Sequence, residues 1–242
     1  MTTSTPRFLD AGDSALVVEY GTNVDAAIHA RVLELDNALI TLRPAGVLET
    51  VPTYRSLMIH FDPLLLLRQD LVAIVEQLVS TTAAAVGATR FWTIPCCYEA
   101  EYGEDIGYIA DLTGLTAQRV VELHSRATYR VYMYGFAPGF CYLGGLPEEL
   151  AISRRQKPRS PHPANTILVG GGLTLISTFS MPTGWFLVGR TPERMFAPVR
   201  DPVFLVGAGD SLCFEQIDRA TLKALDERAA AGEIVASWRP SA

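Results

Sequence analysis

The stretch GFAPGFCYLGGLPEEL, residues 135–150, decides how the second half of this chain is interpreted. Its four glycines and two prolines are typical of turns, while its aromatic and aliphatic side chains favour burial. A segment so rich in glycine and proline does not form a regular helix. Two interpretations remain open: a rigid loop inserted into a core, or a binding surface whose backbone approaches a ligand closely.

Short β-rich segments punctuated by glycine and proline surround this stretch. They are, in chain order, RFWTIPCCY, YRVYMY, TILVGG, LTLIST, WFLVGRT, PVFLVGAGD and SLCFEQI. Two short helices are predicted in GEDIGYIADL and TAQRVVELHS, the second capped by Thr116, and a further helix over residues 218–231. Many short strands with such punctuation predict a mostly β domain, a closed barrel or a sandwich, over residues 90–242.

The first part of the chain has a different pattern. SALVVEY predicts a strand, residues 24–42 an amphipathic helix capped by Thr22 or Asn23, and GVLETV and SLMIHF two strands before a second amphipathic helix. This order predicts a small α+β domain, ferredoxin-like in arrangement, over residues 1–85. We place the boundary in STTAAAVGAT, residues 80–89, although a long surface loop fits the same composition.

Composition and charge exclude several classes of protein. The chain has 242 residues, 49% of them hydrophobic, and a formal net charge of -6, which fits a compact globular protein and argues against nucleic-acid binding. No apolar run reaches the length of a membrane span, and the first residues lack the apolar core of a signal peptide. The cysteines Cys96, Cys97, Cys141 and Cys213 form no C-x-x-C pair, so we expect a reduced, soluble, cytoplasmic protein.

The motifs that the chain lacks narrow its chemistry further. It has no G-x-x-x-x-G-K-[ST] phosphate loop, and VGGG at residues 169–172 is not G-x-G-x-x-G, so a nucleotide would be bound in another way or by another chain. Neither of the two lysines, Lys157 and Lys223, lies in a plausible attachment sequence for biotin, so no covalent biotin is expected. The four histidines show no metal-binding spacing, and no metal site is predicted.

The motif G-F-x-P-G-F-x-Y-L within residues 135–143 is one of a series. AGDSALVVEYG, VPTYRSLMIHFDP and IPCCYEAEYGEDI precede it, and KPR, PANT, PTGW and LVGRTP follow it. With these motifs nearly the whole chain resembles the family called allophanate hydrolase subunit 1, which includes the B subunit of bacterial 5-oxoprolinase, the kinase inhibitor KipI and a carboxyltransferase portion of urea carboxylase. The resemblance implies a cyclophilin-like barrel in the second part. It also implies a second carboxyltransferase-type subunit as partner, and a third, hydrolase subunit is compatible with it.

Three functions are compatible with this resemblance. The first is a subunit of an ATP-dependent amidohydrolase, 5-oxoprolinase, which opens the cyclic amide of 5-oxoproline to give glutamate, with ATP bound with or by the partner. The second is a carboxyltransferase component that works with a separate biotin protein. The third is a non-catalytic inhibitor of a sensor histidine kinase, since one fold can serve each use. We favour the first and expect the chain to be inactive alone.

Residues of the opening stretch are the first candidates for binding a small anionic amide. Gly139 would let the backbone approach a carboxylate or phosphate, and Phe140 and Tyr142 would form an apolar wall with a polar tip. The alternative is a tight turn that only closes the barrel. Cys141 is interpreted as a small buried residue rather than a nucleophile, because no base is adjacent in the sequence.

Three charged or titratable residues are further candidates. His124 ends a predicted helix shortly before the glycine-rich stretch and is the candidate catalytic acid or base, although a cation at a helix C-terminus can be purely structural. Arg159 in KPRSP and Arg190 in VGRTP are candidates for a bidentate contact with the substrate carboxylate. Solvated charge or an interface ion pair is the alternative for both arginines.

The remaining candidates lie where the chain keeps or loses the family pattern. The family's segment Q-T-G-I-Y-P is LTLIST in this chain, which keeps only Thr174 and an isoleucine. We predict that Thr174 binds substrate. Gly170 and Gly171 follow a strand, where glycine marks a barrel corner or lets a cofactor approach. Asn165 and Thr166 replace the family's Gly-Ser pair. If the lost glutamine and tyrosine contact substrate in relatives, these departures leave the substrate of this chain open.

Overall fold

The computed structural model describes residues 5–81 and 89–241. The chain divides into two compact units, residues 1–87 and residues 88–242. Most of the segment in which the sequence predicts a boundary, residues 82–88, lies outside the described residues. None of the helices among the described residues is both long and apolar enough to cross a lipid bilayer.

The first unit contains an antiparallel four-stranded sheet and two helices. Its elements are β1 (Arg7–Asp10), β2 (Ala15–Glu19), α1 (Ala26–Leu42), β3 (Val47–Pro52), β4 (Ser56–Phe61) and α2 (Arg68–Thr81). The strand order is β1-β2-β4-β3. Strands β2 to β4 and both helices follow the sequence prediction, whereas β1 is an additional strand because its four residues carry too short a pattern to be recognised.

The two helices cover one face of this sheet with apolar side chains. Val32, Leu35 and Leu39 of α1 are buried together with alternate residues of β4, which is the periodicity expected of each element. The helix begins after Asp25, whose carboxylate accepts hydrogen bonds from the backbone N–H groups of Ala27 and Ile28 at 2.8 and 3.0 Å. The cap predicted at Thr22 or Asn23 is therefore wrong, because an aspartate stands directly before the first helical turn.

The second unit is mostly β and is built around a closed barrel. Its elements are β5 (Arg90–Cys97), α3 (Ile106–Thr113), α4 (Ala117–Arg126), β6 (Tyr129–Tyr134), β7 (Cys141–Gly144), a 3-10 turn (Glu148–Leu150), β8 (Arg159–His162), β9 (Thr166–Gly170), β10 (Leu173–Ile176), β11 (Met181–Thr183), β12 (Phe186–Arg190), β13 (Ser211–Ile217), α5 (Arg219–Ala230) and β14 (Ser237–Pro240).

Seven of these strands close the barrel in the order β12-β9-β10-β7-β6-β13-β5, and β5 returns to β12 through the pair Arg190–Cys97. Strand β14 also pairs with β5, and β8 pairs with β11 as a separate ribbon. The barrel expected from the sequence is therefore present. The strand predicted in PVFLVGAGD is wrong: residues 202–210 form a loop with one isolated bridge between Phe196 and Phe204, because proline and glycine interrupt regular pairing there.

The barrel strands carry apolar residues on both faces. Alternate residues of all seven strands fill one interior core, to which α3 and α4 also contribute. The opposite face of β9, β10 and β12 carries Leu168, Leu175 and Leu187, and Phe140 and Trp185 cover these leucines in a second core. We call this second cluster the outer core. It explains why β9 is buried at every position and has no polar face.

Candidate functional site

The glycine-rich stretch forms the hairpin that joins β6 to β7. The backbone N–H of Gly135 donates to Phe140 O at 3.1 Å, and the N–H of Phe140 donates to Ala137 O at 3.0 Å. Phe136 and Gly139 both adopt positive φ angles, +70° and +72°. The turn thus needs two left-handed residues, and only one of them is a glycine.

Gly139 is required by packing as well as by its backbone angle. A Cβ atom at this position would lie 2.4 Å from Phe196 Cβ and 3.0 Å from a methyl group of Thr178. The Thr178 hydroxyl also donates to Pro138 O at 2.8 Å, which fastens the turn to the neighbouring segment. These contacts support the tight-turn alternative for Gly139, and approach of a ligand to this backbone stays a prediction.

The aromatic residues of the hairpin form a surface that runs from buried to exposed. Phe140 is buried in the outer core, and Tyr142 lies beside it with a ring-centroid distance of 5.5 Å. Phe136 packs on Phe140 at 5.3 Å and stacks with Phe179 at 6.3 Å, yet 73% of Phe136 is exposed. We call these four residues the aromatic surface. Phe140 and Tyr142 lie side by side, and their predicted role as the wall of a substrate pocket stays a prediction. Phe136 adds an exposed ring next to Phe140.

Arg159 is held by carboxylates of its own chain. Its guanidinium contacts Glu104 at 2.5 Å and Asp105 at 3.4 Å, and the hydrogen bond that it donates to Glu104 is the main reason that its pKa is raised. Asp105 is buried and also accepts hydrogen bonds from Arg155 at 2.5 Å and from the backbone N–H of Leu187 at 2.8 Å. Arg159 is thus one member of an internal ion-pair network around Asp105.

Arg190 is tied to the protein more loosely. Its guanidinium lies 3.4 Å from Asp226 Oδ2 and 3.3 Å from Ala164 O, both long for hydrogen bonds. The same aspartate makes a shorter contact of 2.8 Å with Arg194. Of the two arginines predicted to bind a carboxylate, Arg190 therefore has the weaker internal partners.

His124 and Thr174 lie inside the barrel and not on a surface. His124 is fully buried, its Nδ1 lies 2.9 Å from the Tyr98 hydroxyl, and its ring stacks on Phe214 at 4.9 Å. Burial lowers the pKa of His124 to about 3, so the ring is neutral. Nε2 of His124 has no hydrogen-bond partner among the described residues, and the Thr174 hydroxyl lies beside Tyr129. A neutral, buried ring is not the helix-terminal cation that the structural alternative assumed; its contacts instead place His124 in the core of the second unit. Catalytic use of either residue stays a prediction.

Gly170 and Gly171 lie beside a basic cleft that was not predicted from the sequence. A Cβ on Gly170 would approach Arg154 Cγ at 3.4 Å and the Trp185 ring at 3.3 Å, and the N–H of Gly171 donates to Ile152 O at 2.7 Å. This amide is therefore already satisfied by the protein. The cleft next to the two glycines contains the cations of RRQK, residues 154–157, a cluster that is visible in the sequence.

The thiol of Cys141 lies in the barrel core and is not exposed. Burial raises the pKa of the Cys141 thiol, which agrees with its interpretation as a small buried residue. Residues 5–81 and 89–241 contain no group of three or more histidine, cysteine, aspartate or glutamate side chains placed to hold a metal ion.

Comparison with known proteins identifies the family. The sequence pattern of the family described as carboxyltransferase domain, subdomain C and D, matches residues 6–206. The B subunit of 5-oxoprolinase from Bacillus subtilis (strain 168) is 30% identical over 231 residues, covering 89% of this chain and 95% of the relative. The protein of the same name from Escherichia coli O157:H7 is 34% identical over 203 residues, covering 84% and 92%.

A solved structure of a longer protein, TTHA0988, is 31% identical and superposes with a TM-score of 0.76. The match covers 84% of this chain but 40% of that chain, so the present chain spans about two fifths of its length. Since the family pattern and the 5-oxoprolinase B subunits each match most of the sequence, the chain belongs to the carboxyltransferase domain family, subdomain C and D, as the resemblance in its motifs predicted.

Proposed function

We propose that this chain is one subunit of an ATP-dependent amidohydrolase that opens the cyclic amide of 5-oxoproline to give glutamate. The observation that carries the proposal is its similarity, over nine tenths or more of their length, to two proteins named as the B subunit of 5-oxoprolinase. That name implies other subunits. The partner we propose is a second carboxyltransferase-type chain, with room for a third, hydrolase chain, all in the cytoplasm.

The aromatic surface supports association with a partner. Phe136 is 73% exposed and holds a left-handed backbone conformation, which costs a residue other than glycine about 1–2 kcal/mol. An exposed ring in a strained turn contributes little to the stability of the isolated chain. Contact with a second subunit would bury this ring together with Phe179 and would account for the strain.

The substrate contacts on this chain are proposed from the same geometry. Arg190, with its two long internal contacts, is the better candidate for the carboxylate of 5-oxoproline, since Arg159 is already paired with Glu104 and Asp105. Activation of the amide carbonyl by phosphorylation would place developing negative charge near arginines and loop amides. The cyclophilin-like form of the barrel and the ferredoxin-like form of the first unit belong to this proposal as well.

A carboxyltransferase component of a biotin-dependent system is the second candidate, because the family description names that activity. Purifying the chain together with the product of its neighbouring gene and supplying ATP and 5-oxoproline separates the two. Glutamate and ADP support the amidohydrolase, and a requirement for a biotin protein supports the carboxyltransferase. Binding of a sensor kinase without turnover would favour the inhibitor role. Rapid ATP-dependent amide cleavage by the isolated chain would contradict the proposal that a partner is needed.

The role of Phe136 is tested by Phe136→Asn, which removes the ring but keeps a residue that tolerates positive φ. We expect the isolated chain to unfold at the same temperature or slightly higher, while association with the second subunit weakens by about tenfold or more. Leu64→Asn is a suitable control, because Leu64 is also highly exposed and lies in the first unit. Equal effects of both variants on association would remove the aromatic surface from the interface.

A further inference from the structure

A cleft of about 610 Å³ lies between α3 and the segment that follows the 3-10 turn. Tyr108 and Leu112 of α3 and Phe186 of β12 contribute apolar side chains to its lining. Three cations from one short segment complete it: Arg154, Arg155 and Lys157. No carboxylate is among the described residues that line this cleft. Its size is within the range of small-molecule sites, about 300–1,000 Å³.

The two arginines are held in place by aromatic rings. The guanidinium of Arg154 lies 4.5 Å from the centre of the Trp185 ring, and that of Arg155 lies 4.5 Å from the centre of the Phe186 ring. Arg155 is also bound by Asp105. The backbone of this segment is fixed by the hydrogen bond from Gly171 N to Ile152 O and by one from Arg155 N to Gly184 O, both 2.7 Å. The two arginines are therefore positioned before any ligand arrives, which lowers the entropy cost of binding.

Charge in this region favours an anion. Arg155 is neutralised by Asp105, but neither Arg154 nor Lys157 has a carboxylate partner among the described residues. Both cations line the same cleft, although the chain as a whole has a net charge of -6. Arginine gives planar, directed donors and lysine a compact point charge, a pair of groups that suits phosphate oxygens.

Tyr108 provides a surface for a planar group next to these cations. Its ring stacks on Phe186 at 5.4 Å with an interplanar angle of 19°, and the Arg155 guanidinium lies 5.5 Å from the ring centre. Half of the residue remains exposed. A ring that is fixed in this way and still accessible can stack with a base. Such stacking is favourable whichever nucleobase is present. Phosphate-binding cations and a stacking ring in one cleft together match the chemistry of a nucleotide.

We propose that this cleft binds a nucleoside triphosphate, with its phosphates on Arg154 and Lys157 and its base on Tyr108. The choice of ATP among nucleotides rests on the proposed function, while the site rests on the geometry of the cleft. This assignment places nucleotide contacts on the present chain rather than on the partner alone. Gly170 and Gly171 lie next to the Arg154 side chain, which a Cβ at these positions would meet at 3.4 and 3.6 Å, close to ordinary packing distances.

The two lysines of the chain make a direct test possible. The full chain, alone and with its second subunit, is treated with pyridoxal phosphate and borohydride, and the modified lysines are identified by mass spectrometry. We expect Lys157 to be modified in preference to Lys223, an exposed residue of α5 that serves as the internal control, and ATP to protect Lys157 alone. Equal modification of both lysines with no protection by ATP would overturn the proposal.

Binding of ATP to variants completes the test, with quenching of tryptophan fluorescence or calorimetry as the readout. Arg154→Gln and Lys157→Gln should each weaken binding by about tenfold or more, the usual effect of losing one charge-assisted hydrogen bond. Lys223→Gln should leave it unchanged. Tripolyphosphate that binds as tightly as ATP would refute stacking on Tyr108. If the assembled enzyme cleaves 5-oxoproline but the two cleft variants bind ATP normally, the site is wrong and the function stands. If ATP binds here and 5-oxoproline is not cleaved, the function is wrong and the site stands.

Discussion

His124 is expected to make the second unit sensitive to acid, and replacing it by glutamine should remove much of this sensitivity. The imidazole is fully buried against Phe214 and Tyr129, and burial lowers its pKa from 6.5 to about 3. In the unfolded chain the same ring titrates near its ordinary value. Between these two values the unfolded state binds a proton that the folded state does not, so stability falls as the pH is lowered from about 7.

The magnitude follows from the two pKa values. At about pH 5 the unfolded ring is almost fully protonated while the folded ring is not, and the difference costs about 2 kcal/mol of unfolding free energy. Above about pH 7 the ring is neutral in both states and its contribution vanishes. Glutamine cannot titrate in this range and can still hydrogen-bond to the Tyr98 hydroxyl, so it separates the titration from the packing.

Tryptophan fluorescence is the appropriate assay, because Trp92, Trp185 and Trp238 all belong to the second unit. Urea unfolding of the native chain and of His124→Gln is followed at about pH 5 and about pH 7.5. The native chain should lose about 2 kcal/mol more than the variant between these two conditions. The variant is less stable at the higher pH, and this loss cancels in the comparison. Equal acid-induced losses in both proteins would refute the assignment of acid sensitivity to His124.

Three more predictions concern the turn, the arginines and a buried ion pair. Gly139→Val should destabilise the second unit by about 2–4 kcal/mol in urea unfolding, since it adds left-handed strain to overlap with Phe196; an unchanged midpoint would contradict this. Arg190→Lys should raise the Michaelis constant of the assembled enzyme for 5-oxoproline, because substrate binding loses about 1.5–3 kcal/mol. Arg159→Lys should mainly lower the melting temperature. An unchanged Michaelis constant in Arg190→Lys would place the carboxylate contact elsewhere. Glu193→Ala should lower the free energy of unfolding by about 3–5 kcal/mol in thermal unfolding. The change leaves the buried Arg200 without its carboxylate and removes the acceptor for two amides before β14. A loss below about 1 kcal/mol would contradict a stabilising role of Glu193.

The strands and helices that follow from the sequence are those with a clear local pattern, either a periodic apolar face or a short apolar run between turn residues. β9 and β12 are recognisable as short apolar runs between glycines and prolines, and α4 has its predicted cap, with the Thr116 hydroxyl accepting from Arg119 N at 3.1 Å. The elements that were missed, such as β1 and β14, are four-residue strands whose residues are mostly exposed. Such short strands form because a neighbouring strand offers backbone N–H and C=O groups for hydrogen bonding. The local sequence does not show which strand will be the neighbour.

The candidate site was harder to predict because its contacts join distant parts of the chain. The motif around Arg159 predicts an arginine on a turn next to a strand. The carboxylates that Arg159 contacts, Glu104 and Asp105, lie more than fifty residues earlier in the chain. Similarly, Arg154 gains its position from Trp185, which follows it by some thirty residues. Residue type and spacing indicate which side chains can bind an anion, whereas only the fold shows which of them an internal carboxylate already occupies.

The outer core explains why a stretch so rich in turn residues must also be apolar. Every residue of β9 is buried, so its outward side chain Leu168 needs a cover that no helix of the barrel supplies among the described residues, and Phe140 provides it from the hairpin. The turn that delivers Phe140 requires a left-handed residue at Gly139, and it leaves Phe136 outside the core. Trp185 completes the same outer core and also lies under Arg154, so the hairpin and the basic cleft share one packed layer. The packing thus supports the interpretation of this stretch as a rigid loop inserted into a core, since its glycines and Phe140 serve the fold. The exposed ring of Phe136 is not needed for that core, and binding of a ligand or a partner by this stretch stays a prediction.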